Sequence, residues 1–162
     1  MDSIAAQERD PLHLLFSLGA DRYALAASAV REVLPLQRLK QVPEAPPWVA
    51  GLLTHRGEVI PVLDLCQRVL GRAARQSINT RLVLLQYSPA HTLGLVLEQA
   101  NQVQRLPVQA QRSMGLAAGG AYLGAVQTQG AAGTGTIQHI AIDGLLPPDV
   151  ASLLFPSAGT AP

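Results

Sequence analysis

Few side chains in this 162-residue chain are spaced for catalysis. His13, His55, His91 and His139 are scattered, with no pair at the spacing of a metal site. Cys66 could form a thiol nucleophile with a histidine. It follows Val62-Leu63-Asp64-Leu65, however, and reads as a small packed hydrophobe. As the sole cysteine it makes neither an intrachain disulfide nor a cysteine-based metal cluster. Glu58 and Asp64 could share a strand face, but no acid–base partner accompanies them. Asp64 is better placed to cap the short helix that follows. No Gly-x-Ser-x-Gly elbow occurs. Gly130, Gly133 and Gly135 lack the Gly-Lys-Ser/Thr of a phosphate loop and read as turn flexibility. No catalytic residue, cofactor site or metal site is assigned.

The chemistry that remains is recognition. Arg56 precedes Gly57 at a turn between two apolar segments, Trp48 to Leu53 and Glu58 to Leu65. Gly57 permits positive φ, so the arginine is held at the tip of a connection. Glu32 is the second candidate specificity charge, and Val30 lies beside it as a core or surface residue. Rim charges of this kind set encounter and register, while apolar neighbours carry affinity. Trp48, the only tryptophan, sits in a proline turn with Pro43, Pro46 and Pro47, where it either covers a barrel end, the favoured reading, or stands as an exposed anchor.

The elements that must position these residues follow in order. Leu12 to Leu18 alternates as a strand, with Leu15 buried on the second face, and Tyr23 to Ala26 returns as its hairpin partner. Ser28 to Leu34 reads as one or two helical turns capped by Ser28 and stopped by Pro35. Leu36 to Val42 reads as an extended strand. Pro61 removes a backbone donor, which places its strand at an edge or a bulge. Cys66 to Leu70 forms a short helix ending at Gly71. Thr80 to Tyr87 is a strand buried on both faces, and Leu93 to Leu97 returns from it. Val103 to Leu106 adds another strand. Pro107 to Gly120 is a loop with a short helical turn. Ala121 to Thr128 and Thr136 to Ile142 are strands around a flexible tip. Asp143 caps a terminal helix, and Asp149 to Phe155 adds a further turn or two. No internal repeat is visible. Short strands at even spacing indicate an all-β barrel or sandwich.

Composition narrows the partners. The chain is 48% hydrophobic but only 4% aromatic, so the core is aliphatic and a base-stacking platform is excluded. A net charge of +1 with scattered arginines gives no nucleic-acid footprint. A chain of this length buries roughly 68–70% of its unfolded surface and needs no staples. Met1 to Asp10 lacks the apolar region of a signal peptide. No run approaches the ~18 apolar residues of a membrane span. These features predict a cytoplasmic protein that reaches any membrane through a protein partner, without inserting directly.

The run Gly51 to Leu65, GLLTHRGEVIPVLDL, preceded by VPEAPPWVA, resembles the signature of CheW-like domains. Gly51, Arg56, Gly57, Pro61, Asp64 and Leu65 match that pattern in type and spacing, and the VREV segment at Val30 to Val33 matches after the second strand. The resemblance implies two intertwined small five-stranded SH3-like β-barrels with short helices, an apolar groove between them, and no catalysis. It implies a working domain over residues 12–155, with a flexible N-terminus at 1–11 and a flexible tail at 156–162. It also implies an adaptor that couples the cytoplasmic tip of a methyl-accepting chemoreceptor to the regulatory domain of a CheA-type histidine kinase, at membrane-associated arrays. The receptor face would hold Val30, Glu32, Arg56 and Gly57. Where the family usually shows Asp-x-Val, this chain has Glu98-Gln99-Ala100, which changes local packing. Gly120 to Gly124 and Leu145 to Val150 resemble adaptors of Wsp-type surface-sensing systems, whose output is cyclic-di-GMP and biofilm growth. Flagellar or type IV pilus chemotaxis adaptors, and regulatory domains with other partners, are the alternatives.

Overall fold

Period-two apolar spacing sets most of the chain into strands. A computed structural model describes residues 10–113, 121–129 and 135–156. Among them are β1 (Leu12–Leu18), β2 (Asp21–Ala26), β3 (Val30–Pro35), β4 (Val49–His55), β5 (Glu58–Asp64), β6 (Arg81–Ser88), β7 (His91–Arg105), β8 (Leu123–Gln129) and β9 (Gly135–Ile140). Two short helices, α1 (Leu65–Leu70) and α2 (Pro148–Leu154), follow β5 and β9. The expected flexible segments at 1–9, 130–134 and 157–162, and the loop at 114–120, lie outside the described residues.

The strands form two five-stranded barrels, as the resemblance implies. The first runs β4-β5-β7-β6-β3, and the second β8-β9-β2-β1-β7. In each, one pair is parallel, β5 with β7 and β2 with β9. Each is closed by a single residue just beyond the last strand in its order, β3 in the first and β7 in the second. Lys40 exchanges both backbone bonds with Leu52 of β4, at 2.9 and 2.7 Å. Arg112 does the same with Val126 of β8, at 2.7 and 2.9 Å. Because Leu52 gives both backbone groups to Lys40, its pairing with Pro61 carries no ladder bonds. Pro61 therefore turns its missing N–H away from β4. On the other side β5 joins β7 only from Val62 onward, so the proline sits at the edge position its chemistry requires.

Strand β7 belongs to both barrels. It pairs with β6 up to Leu97 and with β1 from Glu98. Two steps along β1, from Ser17 to Leu15, match four along β7, from Glu98 to Gln102. The extra residues, with Gln99 at φ 54, bend the strand from one barrel into the next. Glu98 locks this bend. Its carboxylate accepts two bonds from Arg72, at 3.1 and 3.0 Å, and one from the Arg75 backbone N–H, at 2.7 Å.

Strands buried on both faces serve two interiors. Leu53, Ile60, Val62, Leu82, Leu84 and Val96 fill the first barrel. Leu15, Ala24, Leu106 and Ile137 fill the second. Their alternating neighbours, among them Phe16, Leu25, Leu63, Val83, Leu85 and Leu95, form the largest cluster. That cluster takes strands from both barrels and packs the space between them. The cavity beside the β7 bend, about 320 Å³, is instead lined by Ser17, Arg72, Arg75, Ser77, Thr80 and Glu98. The junction is thus a filled apolar core with a polar cavity at its rim, where the resemblance implied an apolar groove. The second barrel is small inside and holds polar groups. His13 and His139 meet edge to face at 4.8 Å, and His139 Nε2 lies 2.6 Å from Gln127 Oε1.

Several local expectations change. Ser28 to Leu34 is not helical. Ala27–Ala29 makes one 3-10 turn with no side-chain cap, and β3 begins at Val30. Alternate residues of β3 are half-buried, and pairing with β6 overrides local helix propensity. Leu36 to Val42 contributes only the Lys40 bridge. Val103 to Arg105 continues β7 rather than adding a strand. Asp143 lies inside a 3-10 turn (Ile142–Gly144) and caps nothing, while α2 starts on Pro148 at its first position. Asp64 caps α1 as expected. It accepts from Gln67 N at 3.2 Å and also from Ala74 N at 2.9 Å, and Gly71 ends the helix at φ 75.

Two predictions follow from this packing. A Cβ on Gly51 would stand 2.5 Å from the Lys40 carbonyl, at φ 147. Gly51→Ala is expected to cost about 3 kcal/mol in urea unfolding. Acid stability should fall in two windows. Burial, with His13 alongside, brings His139 down to about 4 from 6.5, so the unfolded chain takes up the proton first. Stability present above pH 6.5 is lost between 6.5 and 4. Arg72 hydrogen bonds hold Glu98 at about 2 against 4.5, helped by Arg75 N–H and the Cys66 thiol and opposed by burial. That contribution is full above pH 4.5 and lost as pH falls towards 2. In urea midpoints against pH, His139→Gln should reduce the upper slope and Glu98→Gln the lower.

Candidate partner-binding face

Strands β4 and β5 end on the pair His55 and Glu58, so their connection is only Arg56-Gly57. Both residues have positive φ, 51 and 80. This is the type I′ geometry that matches the twist of a hairpin. Gly57 takes it freely. A side chain in this region costs about 1–2 kcal/mol, so Arg56 is held in a strained conformation. Its side chain is 77% exposed.

Glu32 reaches this turn from β3. The ladder to β6 slips between Val30 and Glu32, where two steps on β3 match one on β6. Arg31 is the residue left over, and its guanidinium donates to Thr92 Oγ1 of β7. Glu32 is thereby aimed at the turn. Its Oε1 accepts from Arg56 at 3.3 Å, and its Oε2 lies 2.9 Å from His55 Nε2. A cavity of about 270 Å³ opens beneath, lined by Arg31, Glu32, His55, Arg56, Glu58 and Thr92.

The structure therefore joins Glu32, Arg56 and Gly57 in one feature. Val30 stands apart, half-buried against the inter-barrel core. His55, read from sequence as a scattered polar position, is a direct partner of Glu32. Its partner lies 23 residues away, and no local pattern announces the contact. The other histidines are also accounted for. His13 and His139 face each other, and His91 lies against Ser88 Oγ at 2.9 Å and the Phe155 ring at 4.3 Å. Among the described residues no three His, Cys, Asp or Glu side chains gather as a metal site.

Cys66 is fully buried, and its thiol is pushed up to about 12, first by burial and then by Glu98 beside it. Since the thiolate is the nucleophile, this geometry disarms the thiol. Trp48 is half-buried rather than an exposed anchor. Its ring lies 4.5 Å from the Arg68 guanidinium, with Tyr122 at 4.4 Å from the same group.

An exposed arginine on a short turn, paired with a half-buried glutamate from β3 and carried by two fused barrels, defines a small β-scaffold of the recognition type. The chain belongs to the CheW-like domain family, whose model matches residues 12–147. It is 33% identical over 107 residues to Protein FrzA of Myxococcus xanthus, covering 65% of this chain and 66% of that protein. It is 27% identical over 90 residues to chemotaxis protein CheW of Bacillus subtilis, covering 56% and 57%. It is 30% identical over 93 residues to Protein PilI of Pseudomonas aeruginosa, covering 57% and 52%. The chain thus spans about half to two thirds of the length of these relatives. The scaffolding protein TtCheW from Thermoanaerobacter tengcongensis shares the fold, with a TM-score of 0.71 at 20% identity over 82% of this chain and 84% of that one.

The strained turn gives a direct test. Arg56→Gly should raise stability by about 1 kcal/mol by relieving the left-handed backbone. Gly57→Ala should lower it by a similar amount, because nothing lies within 4 Å of the added Cβ and only the backbone objects. Chemical denaturation of both variants checks the pair.

Proposed function

We propose that this chain is a non-catalytic adaptor that couples the cytoplasmic tip of a methyl-accepting chemoreceptor to the regulatory domain of a CheA-type histidine kinase. The observation that carries the reading is Arg56, displayed on a strained turn and paired with Glu32, in a chain of the CheW-like domain family. The receptor face comprises Glu32, Arg56 and Gly57, with Val30 at its inner edge. The kinase domain takes other barrel ends and edge strands. Residues 12–155 act as the working unit, in the cytoplasm at receptor arrays. No described helix is long and apolar enough to cross a membrane, in keeping with attachment through a partner. The buried, protonated Cys66 supports the absence of thiol catalysis.

The mechanism is positional. Two faces on one scaffold hold receptor and kinase together, and a receptor state shifts kinase activity only if it engages the adaptor differently. Strand β7 runs through both barrels, so displacement of one barrel is transmitted to the other.

The pathway is proposed to be a Wsp-type surface-sensing system controlling cyclic-di-GMP and biofilm growth, on the likeness of residues 120–124 and 145–150. Deleting the gene should then lower cyclic-di-GMP and leave swimming intact. Loss of flagellar or pilus chemotaxis with cyclic-di-GMP unchanged would assign the adaptor there instead.

The binding reading is tested by calorimetry of the full chain with a co-encoded receptor tip and kinase regulatory domain. Both should bind the wild type. Arg56→Ala and Glu32→Ala should weaken the receptor by about 1 kcal/mol or more, with kinase-domain binding and the fold retained. A folded wild type that binds neither partner would sink the proposal.

A further inference from the structure

We propose that the cavity beside the β7 bend is a binding site for a small oxyanion, a carboxylate or phosphate group held by Arg75 from the α1–β6 connection and by Ser17 from β1. The site stands apart from the receptor face. Strand β5 starts at Glu58 beside the Arg56-Gly57 turn and ends on Asp64, which pairs with Val96 just before the bend. The two features therefore lie at opposite ends of β5. At about 320 Å³ the cavity is at the small end of the range for ligand sites. Hydroxyl, guanidinium, amide and carboxylate groups line it, so a small polar occupant fits and an apolar one does not.

Charge decides the sign of that occupant. Glu98 is the carboxylate in the wall, and its charge is already met. Both its oxygens accept from Arg72, and one also accepts from the Arg75 backbone N–H. Arg75 is left over. It is exposed, and its guanidinium meets no carboxylate among the described residues. From Leu65 to Leu97 the chain carries Arg68, Arg72, Arg75 and Arg81 and no acidic residue, so nothing in that segment neutralises it. The Arg75 backbone, by contrast, is pinned on both sides. Its N–H is held by Glu98 at 2.7 Å, and its carbonyl accepts from the buried Thr80 hydroxyl. An arginine on an irregular connection is thus fixed at the cavity wall. Ser17 supplies a second donor. It is half-buried on β1 where the ladder to β7 slips, and no described group engages its hydroxyl. Gln99, left-handed at φ 54, joins them in the wall, and strain of this kind gathers at ligand sites. A guanidinium grips carboxylate or phosphate oxygens through paired N–H bonds, and the serine hydroxyl adds another. Because Arg75 leads into β6 of the first barrel and Ser17 belongs to β1 of the second, a bound oxyanion bridges both barrels at their joint.

Amide NMR of the full chain tests the site, in separate titrations with sodium phosphate and sodium acetate over a millimolar range, chloride holding the ionic strength constant. At least one anion should give a saturable shift in the signals of Ser17, Arg75, Ser77 and Gln99. Saturation by phosphate alone, by acetate alone or by both supports the proposal and assigns the group. Arg75→Gln keeps the backbone bonds of the wild type, so it should fold and melt as wild type does in chloride, yet bind the anion about tenfold or more weakly. Ser17→Ala should weaken binding about threefold. The saturating anion should also raise the wild-type melting temperature above that in chloride, and Arg75→Gln should lose the rise. Shifts that stay linear with both anions, or that spread to Arg38, Arg81 and Arg112 and survive Arg75→Gln, are general screening and overturn the site. A saturable shift confined to Arg75 and Ser77, with Ser17 and Gln99 unmoved, overturns the bridge between the barrels.

Discussion

The architecture depends on one strand being shared. The first part of β7 completes one barrel and its last part completes the other. Neither barrel can close alone, because each would lose a strand and expose a ladder edge. The bend between the two parts is the critical point. It requires extra residues, a left-handed Gln99 and an anchor for the backbone as it turns. Glu98 is that anchor. A carboxylate held by a forked arginine and a backbone N–H is strong and directional. The glutamate at this place, one methylene longer than the aspartate usual in the family, therefore keeps an acidic anchor at the bend.

Sharing β7 also exposes a hidden symmetry. The hairpin β1–β2 corresponds to β6 and the start of β7, β3 to the end of β7, and β4–β5 to β8–β9. Each half of the chain gives its leading hairpin to the barrel built mainly by the other half, so the barrels are exchanged rather than side by side. Lys40 and Arg112 occupy equivalent closing positions, and Trp48 and Tyr122 directly precede equivalent strands. The bonds Asp64 N to Trp48 O and Ala141 N to Tyr122 O, both 2.8 Å, repeat the match. Arg68 lies between those two aromatic rings and donates to the Leu145 carbonyl. One cation thus ties the corresponding corners of both halves by cation–π contact.

This explains what the sequence made legible. Gly51, Arg56-Gly57, Pro61 and Asp64 are readable because each answers a local backbone demand: close approach, positive φ, a missing donor, a helix cap. The repeat is invisible because its equivalent positions share geometry and not residue type; a lysine and an arginine close barrels through backbone atoms alone. Strand β3 reads as a helix because Val30, Val33 and Leu34 also fit helical spacing, and only β6 decides the matter. The site was half legible for the same reason. Arg56 and Gly57 are neighbours in sequence, whereas Glu32, His55 and Thr92 meet only through the folding of three strands.

The two scales of the structure bear on each other. A hairpin tip with an arginine at positive φ would relax in an isolated peptide, since a single hairpin is marginal in water. Here β4 is fixed by Lys40 on one side and β5 by β7 on the other. The strain is tolerated because the barrel over-determines the turn. The same constraint orients Arg56 towards solvent while its carboxylate partner is held from a different strand. A flexible loop carrying the same residues would not hold the arginine and Glu32 in one geometry. A rigid one presents the charge at a fixed position relative to the strands that carry it.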